Sequence, residues 1–212
     1  MWPLFDLRLR TGDLELRLPT DDDLVELIGV AKAGIHSADE MPFAVPWTDV
    51  PSPAFERRAY QFHVGQRASW RPEAWSLPLG VWVEGEAAGM QDISAEGFAV
   101  HRTVNTGSWL GQPFQGRGIG RQMRQAVLAL AFDHLGAVVA ESAAMLTTPA
   151  SKRVSLAIGY EPNGWTTLAP RGQPVDTERF RLTLEAWRAR PRPPVEVTGL
   201  DGCLELFGAS PA

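Results

Sequence analysis

The stretch GSWLGQPFQGRGIGRQM, residues 107–123, places a cluster of glycines and two arginines directly before an amphipathic run. Glycine adopts positive φ easily and lets the backbone approach a ligand closely. The first turn of a helix exposes free N–H groups that carry a partial positive charge. The stretch therefore predicts an anion-binding loop at a helix N-terminus, or, as the alternative, a turn that only links a strand to a helix. The glycines concerned are Gly111, Gly116, Gly118 and Gly120.

Two common phosphate-binding motifs do not fit this stretch. A P-loop requires G-x-x-x-x-G-K-[S/T], but here Arg117 and Gly118 replace the lysine and the metal-binding hydroxyl. A Rossmann fingerprint requires a third glycine where Arg121 stands, and no repeated strand-helix alternation surrounds it. The pattern that remains is Q-x-x-G-x-G, formed by Gln115, Gly118 and Gly120.

Composition narrows the class of protein. The 212 residues are 44% hydrophobic and 21% charged, which is typical of a globular chain rather than a disordered one. The net charge of -5 argues against nucleic acid or an anionic membrane as the main partner. No run approaches the roughly 20 apolar residues that span a bilayer, and the single cysteine, Cys203, excludes an internal disulfide. We expect a cytoplasmic protein without a metal.

Hydrophobic periodicity predicts a mixed sheet with helices on its faces. Thr20, Ser52 and Thr148 are predicted to cap three helices, and a further helix is predicted from Ile119 to about His134. Strands are predicted at residues 14–18, 75–83, 87–93, 103–110, 137–142, 165–169 and 177–184. The proline-rich segment 189–194 predicts a main domain over residues 1–188 and a linker with a short tail over 189–212. A strand in that tail could pair across a homodimer.

The Q-x-x-G-x-G pattern resembles the acyl-CoA pyrophosphate loop of the GNAT superfamily of N-acyltransferases. The segment TPASKRVSLAIGY, residues 148–160, is similar to the RimJ/RimL-type branch, whose pattern is N-x-x-S-x-x-V followed by GF. The segments EMPFAVPWTD and GSWLG are similar to a bacterial branch with a succinyl-CoA-dependent member. The resemblance covers roughly residues 12–188 and implies an α/β (α+β) fold with a mixed, mostly antiparallel sheet flanked by helices.

The resemblance implies that CoA lies in a gap between strands 103–110 and 137–142. The loop 116–121 would bind the pyrophosphate, and the pantetheine arm would pair with the backbone near Trp109 and Leu110. Thr148 stands where the branch often has an asparagine that contacts CoA, and the two loop arginines could equally lie on a solvated helix face. The residues expected to bind CoA are Trp109, Leu110, Gln115, Gly116, Arg117, Gly118, Ile119, Gly120, Arg121, Thr148 and Ser151.

The implied reaction is direct attack of a neutral amine on the thioester, with the Leu110 N–H polarising the carbonyl. Such a reaction needs a base for the amine proton and a proton donor for the thiolate. Many relatives use a tyrosine as the acid where this chain has Ser155, so Ser151 becomes the candidate thiolate partner, or else part of a helix cap. The candidate bases are Asp92, His101 and Glu141, each of which could instead be structural, and water is the further alternative.

The resemblance also implies a specificity segment between the first two helices. His36, Glu40, Phe43 and Trp47 are expected to cover the acceptor site, although their composition fits plain packing as well. The expected activity is transfer of an acetyl or succinyl group from acetyl-CoA or succinyl-CoA to a primary amine on a small molecule or a protein N-terminus. The alternative is a CoA-binding sensor without turnover. Succinyl transfer would require a cation near the distal carboxylate, and the sequence alone assigns no arginine to that place.

Overall fold

Strands follow the alternating apolar pattern, and the computed structural model, which describes residues 2–209, joins nine of them in one sheet. All neighbouring strands are antiparallel except β5 and β6, so the predicted mixed, mostly antiparallel sheet is confirmed. The spatial order is β7-β8-β6-β5-β4-β3-β2-β1-β9. The strands are β1 (Arg8–Thr11), β2 (Leu14–Arg17), β3 (Ala74–Val83), β4 (Glu86–Glu96), β5 (Thr103–Leu110), β6 (Val139–Met145), β7 (Glu161–Leu168), β8 (Val175–Thr183) and β9 (Glu196–Thr198).

Helices cover both faces of this sheet. They are α1 (Asp21–Ala33), α2 (Ala54–Ala68), α3 (Phe98–His101), α4 (Ile119–Ala129), α5 (Pro149–Ile158) and α6 (Leu184–Arg188), and a π-helical turn, Leu130–His134, continues α4. Leu27 of α1 packs with Met90, whereas Val127 of α4 shares a core with Leu79 and Ile93. Because successive strand side chains point to opposite faces, Met90 and Ile93 place α1 and α4 on different sides of the sheet.

Only one of the three predicted helix caps is formed as expected. Thr20 Oγ1 accepts a hydrogen bond from the Asp23 N–H at 3.2 Å, and the Asp23 carboxylate accepts one from the Thr20 N–H at 2.9 Å. The prediction for Ser52 was wrong, because Pro53 occupies the cap position of α2 and the Ser52 hydroxyl donates to Glu56 instead. Thr148 does occupy the cap position of α5, but its hydroxyl makes no capping bond.

The segment after residue 188 packs onto the sheet. Strand β9 pairs with β1 of the same chain, and Leu200, Cys203 and Phe207 belong to the main core. The Trp75 indole N–H donates to the Phe207 carbonyl at 3.1 Å. One edge of the tail strand β9 is thus paired with β1 of its own chain. The homodimer remains a prediction.

None of the helices described between residues 2 and 209 is long and apolar enough to cross a bilayer. In the same range, no group of three or more His, Cys, Asp or Glu side chains is arranged to hold a metal ion.

Candidate active site

A gap opens in the sheet between β5 and β6. The two strands pair over only three residues, ending at Asn105 and Glu141. Beyond that point β5 pairs with β4 and β6 pairs with β8. The Gly111 N–H donates to the Ala88 carbonyl of β4 at 2.9 Å, and consecutive residues of a strand direct their N–H groups to opposite sides. The N–H groups of Leu110 and Ser108 therefore point into the gap, where an extended ligand could pair with them.

The glycine loop follows the open end of β5 and leads into α4. Gly116 and Gly118 have φ of +72° and +81°, and a Cβ atom added at either would meet nothing within 4 Å. Within the described part of the chain, the N–H groups of residues 116–120 donate to no acceptor. This geometry favours an anion-binding loop over a turn that only links two elements, because its N–H groups are unpaired among the described residues and its two glycines leave open space beside the backbone.

The remaining loop side chains have different roles. The Gln115 amide donates to the carbonyls of Ile35 and Leu110, both at 2.8 Å, so it ties the loop to β5 and to the end of α1. Ile119 is buried in the core, which leaves only its backbone for a ligand. The Arg117 guanidinium lies over the ring of Phe114, 5.8 Å from its centroid.

A cavity of about 850 Å³ unites the loop, the gap and the segment between α1 and α2. Most of the residues that the sequence singled out lie in its wall. Those are His36, Glu40, Phe43, Trp109, Leu110, Gln115, Gly116, Gly118, Gly120, Arg121, Thr148 and Ser151. Arg117, Ile119, Trp47, Asp92, His101 and Glu141 are outside the wall.

The structure does not bring the three candidate bases to this cavity. His101 and Glu141 line a second cavity of about 540 Å³, and Glu141 lies 3.4 Å from the Arg179 guanidinium. Asp92 lines neither cavity and accepts a hydrogen bond from the Ser76 hydroxyl at 2.6 Å. Burial raises the pKa of Asp92. Glu141 lies where the β5–β6 pairing ends, His101 is the last residue of α3, and Asp92 of β4 is hydrogen-bonded to Ser76 of β3, so none of the three lines this cavity.

The predicted acceptor segment forms one wall of the cavity. Both ring nitrogens of His36 are engaged, Nδ1 at 2.7 Å from the Ser37 carbonyl and Nε2 at 2.8 Å from the Thr48 hydroxyl. Trp47 does not reach the cavity, because its ring stacks on Phe55 at 5.7 Å and contacts Phe43 and Trp109. Trp47 therefore packs against the side of Phe43 and Trp109 that faces away from the cavity.

A salt bridge holds this segment against the turn between β7 and β8. The Arg171 guanidinium binds both carboxylate oxygens of Asp49 at 2.6 Å and also reaches the Ala38 carbonyl. The pair lowers the pKa of Asp49. Two loops distant in sequence are thereby joined beside the cavity.

Helix α5 presents hydroxyls at its first turn. The Thr148 Oγ1 atom is buried and lacks a partner within the described chain, and Ser151 is half-buried in the cavity wall. Ser155, at the position of the missing tyrosine, is fully buried, with its hydroxyl 3.4 Å from that of Ser142. Of the two serines, Ser151 is the one that a ligand in the cavity can reach.

Sequence reasoning missed an arginine at the base of the gap. Arg124 of α4 is only 2% exposed and lines the cavity. Its guanidinium donates to the hydroxyl of Ser142 on β6 at 3.0 Å and to that of Ser108 on β5 at 3.3 Å. Arginine side chains are seldom fully buried, and Arg124 directly follows the apolar Met123 without any local pattern that sets it apart. The sequence therefore offers no signal for its burial.

Comparisons with known proteins agree with this geometry. The model of the acetyltransferase (GNAT) domain matches residues 13–161, more than half of the chain. The fold is similar to RimJ of Mycobacterium smegmatis in complex with CoA-disulfide, at 19% identity over 91% of each chain and a TM-score of 0.67. It is similar to RimL, a ribosomal L7/L12 alpha-N-protein acetyltransferase in complex with coenzyme A, at 18% identity over 84% of this chain and 99% of that one, with a TM-score of 0.66. A GNAT-family acetyltransferase from Bacillus anthracis is 13% identical over 84% and 99% of the two chains, with a TM-score of 0.68.

Likeness at these identities shows the fold, and the family follows from the domain match. RimJ and RimL are among the structural neighbours, as the pattern in residues 148–160 predicts. The domain match spans the glycine loop, the sheet gap and α5, which together form the cavity. The chain belongs to the GNAT acetyltransferase family.

Proposed function

We propose that the protein transfers an acetyl or succinyl group from acyl-CoA to a primary amine by direct attack of the amine on the thioester. The observation that carries this proposal is the loop at the start of α4. The N–H groups of its residues 116–120 donate to no acceptor within the described chain, and the loop lies beside the gap between β5 and β6. The family is one of acetyltransferases. What we propose beyond that is the identity of the acyl donor, the class of amine acceptor and the role of each residue in the cavity.

The loop suits a diphosphate. Consecutive N–H groups and the positive end of α4 attract an anion, and the two glycines with positive φ leave the space for it clear. An anion at an exposed helix N-terminus gains about 0.3–1 kcal/mol from the helix dipole. Arg121 in the cavity wall adds a positive charge that would attract the diphosphate directly.

The edge of β5 suits the pantetheine arm and the thioester. The inward N–H groups of Leu110 and Ser108 would donate to the arm and polarise the carbonyl, an oxyanion-type role that needs fixed donors. The amine nitrogen then bonds to the carbonyl carbon while the carbon-sulfur bond breaks. The Ser151 hydroxyl would donate a hydrogen bond to the departing sulfur. We assign removal of the amine proton to water, because Asp92, His101 and Glu141 lie outside the cavity wall.

The acceptor would enter beside the segment that carries His36, Glu40 and Phe43. The acceptor class is a small amine or a protein N-terminus. The second alternative draws support from RimL, a ribosomal L7/L12 alpha-N-protein acetyltransferase of similar fold.

Thiol release tests this activity. The protein is incubated with acetyl-CoA or succinyl-CoA and a panel of small amines and short peptides with free N-termini. Amine-dependent release of CoA thiol is expected with at least one donor. If calorimetry detects CoA binding and no amine stimulates release, the CoA-binding sensor is the correct function.

A substitution at Gly118 tests the diphosphate loop. Gly118→Trp should abolish CoA binding in calorimetry, because the indole would fill the space in front of the free N–H groups. The matched control is Gly12→Trp, since Gly12 also has positive φ and an open Cβ position but lies in the turn between β1 and β2. Unchanged CoA affinity in a folded Gly118→Trp protein would remove the loop from the binding site.

A further inference from the structure

Arg124 carries a buried positive charge that forms no ion pair with any residue the structure describes. The structure describes ten ion pairs within residues 2–209, and none of them involves Arg124. Removing an ion from water costs several kcal/mol unless an opposite charge and hydrogen bonds offset it. A charge left in this state at the wall of a ligand cavity indicates that a ligand supplies the missing anion.

The groups around the guanidinium are neutral. Ser142 and Ser108 accept its hydrogen bonds through hydroxyls, which provide no charge. The neighbouring Tyr160 is buried, and that burial raises the pKa of its phenol, so it remains uncharged at neutral pH. The Arg124 Nε atom is buried without a partner within the described residues. Both charge and hydrogen-bonding capacity are therefore left for a ligand.

The position of Arg124 separates it from the diphosphate loop. It lies six residues after Gly118, about 9 Å along the axis of α4 at 1.5 Å per residue. Its guanidinium bridges β5 and β6 through Ser108 and Ser142. Ser108 is one of the residues whose N–H points into the gap, where the thioester is proposed to lie. The cation is thus near the acyl end of the donor rather than its phosphates.

The guanidinium suits a carboxylate. Its planar fork binds carboxylate oxygens in pairs, and such charge-assisted bonds are about twice as strong as neutral ones. An acetyl group offers no negative charge at this point, whereas a dicarboxylic acyl group does.

We propose that Arg124 binds the distal carboxylate of the acyl group and makes a short dicarboxylic acyl-CoA, such as succinyl-CoA, the preferred donor. This inference rests on the proposed acyl transfer and specifies its donor. The carboxylate would replace the missing counter-ion of Arg124 and hold the acyl chain beside Ser108, with no change in the bonds made or broken.

The test compares succinyl-CoA with butyryl-CoA, which has the same chain length and a methyl group in place of the carboxylate. Calorimetry should show that the wild-type protein binds succinyl-CoA at least about tenfold more tightly, the effect of about 1.4 kcal/mol. Arg124→Met should reduce that ratio to about one while leaving the affinity for free CoA unchanged. Arg124→Lys, which keeps the charge without the fork, should retain part of the preference. Arg57→Met on the exposed surface of α2 is the control.

Three results would overturn the inference while acyl transfer still stands. The first is equal wild-type affinity for succinyl-CoA and butyryl-CoA, which decides the question even if the Arg124 variants do not fold. The second is a loss of free CoA affinity in Arg124→Met, which would assign the cation to the diphosphate. The third is an Arg124→Met protein that binds every acyl-CoA as tightly as the wild type but transfers each acyl group more slowly by the same factor. Failure of the wild-type protein to bind free CoA would instead contradict the proposed function itself.

Discussion

At the scale of single residues, one glycine sets the position of the strand that faces the gap. A Cβ atom added at Gly89 of β4 would overlap the Trp109 carbonyl oxygen and lie 2.8 Å from the Leu110 Cα atom. Both contacts are with backbone, which cannot rotate away. Glycine at position 89 therefore allows the close approach of β4 to the part of β5 that lines the cavity.

Gly89→Ala should destabilise the protein by about 1–3 kcal/mol, the usual cost of overpacking. Urea unfolding followed by circular dichroism measures the change. The control is Gly65→Ala in α2, where a Cβ atom meets open space. There, alanine should be neutral or stabilising by up to about 1 kcal/mol, because glycine disfavours a helix interior. Equal stability of Gly89→Ala and the wild-type protein would contradict the close approach.

At the scale of elements, α2 carries a histidine that resists protonation. Burial, followed by the nearby Arg67 charge, lowers the pKa of His63 from 6.5 to about 4. Its Nδ1 atom is buried without a partner within the described chain. Between these two pKa values the unfolded chain binds the proton and the folded chain does not. The free energy of unfolding therefore falls as the pH drops through this window.

Urea unfolding of the wild-type protein should accordingly show a loss of stability that begins as the pH falls through about 6.5, before the carboxylates with lowered pKa values, such as Glu56, add to it at lower pH. His63→Leu should flatten the upper part of this curve, because the histidine that titrates differently in the two states is gone. Parallel curves for the two proteins would show that another group is responsible.

At the scale of the whole molecule, the tail completes the core. Phe207 is fully buried, and its ring lies 4.9 Å from that of Trp75 and 5.4 Å from that of Trp70. Trp70 also donates its indole N–H to the Leu206 carbonyl at 2.8 Å. These contacts connect residues more than 130 positions apart in the chain, so we propose that the tail folds together with residues 1–188.

Phe207→Ala should lower the free energy of unfolding by about 3–5 kcal/mol, as for other buried phenylalanines. The control is Val100→Ala, because Val100 is 82% exposed and surface changes usually stay within about 0.5 kcal/mol. Chemical denaturation gives both values. A loss no larger than that of the control would mean that the tail is dispensable for the fold.

The glycine loop and the elements around it could be predicted from sequence because their signals are local. Positive φ at Gly116 and Gly118, the start of α4 and the extent of β5 follow from residues adjacent to one another. The positions of the candidate general bases relative to the cavity could not be predicted from sequence. Residues on neighbouring strands reach one cavity only if the register and the point of divergence bring them there, and β5 and β6 diverge just after Asn105 and Glu141.

By itself, the sequence predicted most strands and helices, though not β1, α3 or α6, and the loop proposed to bind the diphosphate, because backbone preferences and hydrophobic periodicity act over a few residues. The resemblance to the GNAT superfamily came from short motifs, which are also local. Only the tertiary structure decided that Arg124 is buried beneath the gap, that the tail joins β1, and that Asp92, His101 and Glu141 lie away from the cavity. Burial and proximity between distant segments depend on how whole elements pack, and no local pattern in the chain records that packing.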